Sequence, residues 1–128
     1  MRRATYLVPF ATVSLVAVLS TACGAERSAG SWSSDAPGSE GRRIANTNSC
    51  ASCHGVDGVG GMGPSWRGLY MSEVTLSDGR TVTADEAYLT RAIAEPAAEQ
   101  RPGYAVMPAN SLTPEQVSSV VEYIISLK

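Results

Sequence analysis

Histidine occurs once in this 128-residue chain, at position 54, lysine once, at 128, and phenylalanine once, at 10. Each scarcity excludes something. A single histidine rules out a metal site built from several imidazoles of the chain. A single lysine rules out docking through a ring of lysines. Beyond Cys23, eight basic residues stand against twelve acidic ones, a formal charge of −4, so nucleic acid is not an expected partner. With no phenylalanine past residue 10, a domain this small lacks the bodies that commonly fill a core, and something else has to supplement it. The one long apolar run, Tyr6 to Leu19, is shorter than the roughly 20 residues of a spanning helix.

That run lies between Arg2-Arg3 and the small residues Ser20-Thr21-Ala22, followed by Cys23, which is the order of an export signal. It resembles the bacterial lipoprotein signal, whose cysteine is acylated, although leucine stands at 19 rather than three places before the cysteine. An ordinary signal cut near Ala22 or Ala25 is the competing reading. Lipidation of Cys23 is preferred because it accounts for an otherwise unpaired cysteine in an oxidising compartment. The expectation is a lipoprotein-type signal peptide at 1–22, a flexible Gly/Ser/Pro tether at 23–40 and one folded domain at 41–128. The domain would be held in the periplasm or on the outer face of a bacterial membrane.

The most informative stretch is SCASCHGVDG, residues 49–58. Cys50 and Cys53 sit about one helical turn apart, so both sulfurs can reach one edge of a porphyrin while His54 presents its imidazole to the iron. Zinc would require a fourth ligand, and no histidine or further cysteine follows. A thioredoxin-like pair would require a βαβ pattern that is absent. A plain disulfide would leave the adjacent histidine unexplained. One covalent haem c is therefore the expected cofactor.

With one histidine, the second axial ligand is expected to be a methionine. Met62 is only eight residues past His54, too near to wrap round the ring, and Met71 precedes a hairpin signal. Met107, in GYAVMPANSL between two predicted helices, is the candidate. In the glycine-rich loop VDGVGGMGPSW, Pro64 has a carbonyl that can accept the free imidazole N–H of His54 and fix its tautomer.

Residues 42–54 read as a first helix, weakened by Asn46, Thr47 and Asn48. EVTLSDGRTVTA alternates around Asp78-Gly79, a hairpin signal at about residues 73–83. Thr83-Ala84-Asp85-Glu86 reads as a capping box for a helix through Ala94, with Ala87, Tyr88, Ala92 and Ile93 inward. Thr113-Pro114-Glu115-Gln116 is a second box, and Val117, Val120, Val121, Ile124 and Ile125 form a stripe at helical spacing. The fold class is all-α, with three to four helices around a covalent haem and a small β-hairpin insertion.

CASCHG, GPSWRGLY, YAVMPANSLTPEQ and VVEYIISLK together resemble class I monohaem cytochrome c over residues 41–128. Within that family the run from Arg67 to Pro108 is most similar to the cytochrome c domain fused to subunit II of bacterial haem-copper oxidases, and to small lipoprotein cytochromes of respiratory complexes. No copper-binding cysteine pair accompanies it, so the likeness is to the haem domain alone. The resemblance implies Cys50 and Cys53 as thioether anchors, His54 and Met107 as axial ligands, Pro64 as the histidine's partner, and Trp66 and Tyr70 near the haem or its propionates. The family's usual first-helix aromatic, which packs near Tyr123, is missing, with Ile44 expected in its place.

The implied activity is one-electron transfer in a respiratory chain, not enzymatic turnover. A quinol-oxidising complex or other donor would give electrons, and a haem-copper oxidase would accept them. With no lysine ring, the rate should depend weakly on ionic strength. The alternative is a haem enzyme or sensor with an open sixth iron position.

Overall fold

The computed structural model describes residues 35–128. The export signal, Cys23 and most of the tether lie outside the described residues. Helix α1 spans Ser39–Thr47 and α2 spans Ala51–His54, so the single helix expected over 42–54 is two. The break has a local cause. The Thr47 hydroxyl donates to the Arg43 carbonyl at 2.5 Å and the Asn48 amide to that of Ile44 at 2.9 Å, competing with the helical ladder. Ser49 then turns through a left-handed conformation with φ 60°.

The start at Ser39 also moves the folded chain back across the expected boundary at 40/41. Gly38 to Glu40 are not tether: with Gly41 they mark the point where α1 crosses the last helix, α4, at Pro114–Ser126. A Cβ on Gly41 would run into the Ser119 carbonyl and lie 2.8 Å from Tyr123 Cβ. Only glycine lets the two backbones meet this closely. Ile44, expected to stand in for the missing aromatic, is buried beside Ala45.

The hairpin lies where expected. Strands β1 (Glu73–Thr75) and β2 (Thr81–Thr83) pair antiparallel, with Val74 opposite Val82. Helix α3 (Glu86–Ala94) is capped differently from the expectation. Thr83 is used by the sheet, paired with Glu73, and Asp85 takes the cap, its side chain accepting from Tyr88 N at 2.8 Å. In consequence Ala87 faces solvent, while Leu89 joins Tyr88 and Ile93 in the core. The helix ends ahead of Pro96, as a proline there requires.

Helix α4 has the expected box. Thr113 Oγ1 accepts from Gln116 N at 3.3 Å and Gln116 Oε1 from Thr113 N at 2.9 Å, with Pro114 at the first helical position. Its Val117, Val120, Val121 and Ile124 are buried, and Ile125 packs partly buried against the same cluster. These residues join Ile44, Leu69, Val74, Leu76 and Leu89 in one core. The result is a mostly helical domain with one small sheet, as expected, and no described helix is long and apolar enough to cross a membrane.

Candidate haem-binding site

The Cys50–His54 turn has too few residues to hold itself, so the glycine-rich loop after it does the holding. Gly60 N donates to the His54 carbonyl at 2.7 Å and Gly63 N to that of Cys53 at 2.9 Å. The loop thus folds back over the histidine, close enough that a Cβ on Gly63 would sit 2.9 Å from His54 Cε1. His54 is 8% exposed, and its Nδ1 lies 2.9 Å from the Pro64 carbonyl, the partner expected from the sequence. The carbonyl can only accept, so Nδ1 carries the proton and Nε2 keeps its lone pair for a metal. Burial pushes the His54 pKa down, opposed by the bond to Pro64. The neutral imidazole, which is the ligating form, is therefore favoured.

Behind the histidine stands Trp66, its ring stacked on the imidazole with centroids 4.6 Å apart and planes at 25°. Tyr123 of α4 meets Trp66 edge-on at 6.0 Å, and its hydroxyl donates to Asp57 Oδ1 at 3.3 Å. The same oxygen is salt-bridged to Arg42 of α1 at 2.8 Å. Helices α1 and α4 are thereby linked to the orientation of one imidazole.

Cys50, Cys53, His54, Pro64, Trp66 and Met107 all line one cavity of about 450 Å³. Leu89, Ile93, Val120 and Ile124 give it an apolar floor. Both cysteines are free and half-buried, and burial pushes the Cys50 thiol up, which keeps it protonated. Met62 also lines the cavity but is 71% exposed, and Met71 is exposed outside it. Tyr70 packs against the core and is not among the lining residues. Trp66 lines the cavity by backing the histidine.

Sequence reading missed Tyr88, Glu99, Arg101 and Tyr104, which also line the cavity. Tyr88 could have been found, since it was placed on the inward face of its helix. Glu99 and Arg101 lie in a polar stretch with no periodicity, and nothing local marks them.

The residues fit a haem. A volume of this size lies in the range of cofactor pockets, roughly 300–1,000 Å³, and the lining offers two thiols, a neutral imidazole and a thioether to one apolar space. Among the described residues no three His, Cys, Asp or Glu side chains converge on a point, so zinc has no ligand set here. Among the described residues the sheet has two antiparallel strands, which gives no βαβ frame for a thioredoxin-like pair.

Comparisons with known proteins point the same way. A family model described as Cytochrome c matches residues 38–128. Cytochrome c2 iso-2 of Magnetospirillum molischianum is 35% identical over 89 residues, covering 62% of this chain and 91% of that protein.

Proposed function

The chain belongs to the cytochrome c family, an electron-transfer family whose cofactor is covalent haem c, and from that premise we propose a one-electron carrier of a respiratory chain. In this reading Cys50 and Cys53 would hold the haem through thioether bonds, and His54 Nε2 and Met107 Sδ would ligate its iron. The observation that carries it is the meeting of these four side chains on one apolar cavity. Haem c, when bound, supplies a reversible one-electron iron couple, and a methionine ligand raises its potential relative to two histidines.

The protein's own residues do the rest. Pro64 and Trp66 fix the imidazole, the apolar floor excludes water, and Met107 would fill the position a substrate would need. Tyr70, away from the cavity, is left out of this assignment.

The N-terminal signal supports export, with Cys23 as lipid anchor and the domain on the outer face of a bacterial membrane. A quinol-oxidising complex or similar donor and a haem-copper oxidase as acceptor are the proposed partners, with the haem domain fused to oxidase subunit II as its functional counterpart.

The test is an optical spectrum of protein matured with a haem-attachment system. A covalent c-type spectrum with the weak ferric red-end band of sulfur ligation is expected, and in Met107→Ala the band should vanish while attachment persists. A high-spin wild type that binds carbon monoxide would support a haem enzyme or sensor instead.

A further inference from the structure

Glu99 lines the haem cavity yet is only 9% exposed. Its Oε1 accepts from Arg91 Nε at 2.9 Å, and its Oε2 is sealed from solvent with no hydrogen-bond partner among the described residues. A buried carboxylate oxygen left without a donor costs folding free energy. Such a group calls for a reason.

The surroundings are cationic. Arg80, at the turn of the hairpin, feels the charge of Glu99, and buried Tyr88 feels both Glu99 and Arg101. The hairpin is tied to this segment by Ser77 N donating to the Gln100 carbonyl at 2.8 Å. Two guanidiniums, those of Arg91 and Arg80, thus act on one carboxylate. They are not equivalent to it in position, because the side chain of Arg91 is 52% exposed and that of Glu99 only 6%. Water screens the exposed partner, whereas the buried charge acts through the low dielectric of the apolar wall. The pair therefore does not cancel inside the cavity.

Resting on the assignment of this cavity to haem c, we propose that Glu99 sets the redox poise of the centre, as a fixed negative charge that favours the oxidised iron over the reduced one. Ferric iron carries one positive charge more than ferrous, so a nearby anion stabilises it. Burial and electrostatics of this kind are the protein's means of moving a haem potential.

The test is a spectroelectrochemical titration of haem-loaded wild type, Glu99→Gln and Arg91→Gln. Glu99→Gln keeps the size and an acceptor for Arg91 but removes the charge. Poised at the wild-type midpoint, its ferrous-to-ferric ratio should rise roughly tenfold, the order expected of one buried unit charge, which is 59 mV for a one-electron couple. Arg91→Gln unmasks the carboxylate and should lower the ratio, by a smaller factor because Arg91 is half exposed. A Glu99→Gln ratio within twofold of wild type, or an Arg91→Gln shift in the same direction as Glu99→Gln, overturns the proposal while a covalent low-spin spectrum leaves the haem assignment standing. A wild type without that spectrum overturns the haem assignment and this proposal together.

Discussion

From Cys50 to Gly68 the chain is tied at nearly every step by backbone hydrogen bonds, ending with Gly68 N donating to the Leu127 carbonyl at 2.9 Å. From Arg101 to Leu112 no backbone pair of this kind occurs among the described residues. The hydrogen bonds of that segment are both made by Asn110, its amide donating to the Ile93 carbonyl at 2.7 Å and its Oδ1 accepting from Leu112 N at 3.2 Å. One wall of the cavity is therefore held by the chain's own backbone hydrogen bonds. The wall bearing Met107 has little of its own beyond packing, and Val106 next to the methionine is 50% exposed. Segments with few buried contacts and few backbone bonds open at low free energy, so the wall bearing Met107 should be the softer of the two.

The sharpest way to break that contrast is to disturb the built wall. Gly63→Ala places a methyl 2.9 Å from His54 Cε1 and 3.0 Å from Nδ1, on a ring that Trp66 keeps from retreating. The expected cost is about 1–3 kcal/mol, read as a lower unfolding midpoint of the haem-loaded protein followed at its main visible band. A variant with wild-type stability would show that this wall yields too.

Asn110→Ala should cost less, about 1 kcal/mol. Its distinguishing effect lies in ligand exchange. Imidazole added to the ferric protein should displace the methionine severalfold faster than in wild type, and equal rates would remove the claim that Asn110 holds the loop.

The smallest effect concerns pH. Burial pushes the Tyr123 phenol up, reinforced by Asp57 and opposed by Arg42. The fold thus favours the protonated phenol, a contribution complete below the ordinary phenol value of about 10 and lost as pH rises through the raised one. In Tyr123→Phe the fall in stability between pH 9 and 11 should be shallower than in wild type, by urea denaturation. An identical fall would place the alkaline sensitivity elsewhere.

These features differ in how well they could be read from residues alone. The hairpin, the Thr113 cap and the His54–Pro64 bond were legible because their signals are local: Asp78-Gly79, a box four residues long, a proline carbonyl ten residues from its histidine. Thr83 misled because two possible cap residues, Thr83 and Asp85, stand two positions apart, and pairing with Glu73 decided between them. Gly38 misled more deeply. Its close approach to Tyr123 leaves no mark on its neighbours in sequence, and Pro37-Gly38-Ser39 reads as linker. Glu99 left no trace at all, since its meaning comes from what surrounds it in space. Trp66, which the resemblance places near the haem, lines the cavity, but its stacking on His54 could be found only from the ring geometry.

The crossing at Gly41 has a bearing on how the molecule is made. Helix α1 leans on α4, which begins some sixty residues after His54. A ribosome delivers the chain from its N-terminus, so the cysteine pair emerges long before the helix that closes behind it. Until Pro114–Ser126 is synthesised, α1 lacks its α4 partner, and closing that loop carries an entropic cost. The Cys50–His54 turn is thus presented on an open chain first and enclosed last, an order that leaves both thiols within reach of whatever machinery must work on them.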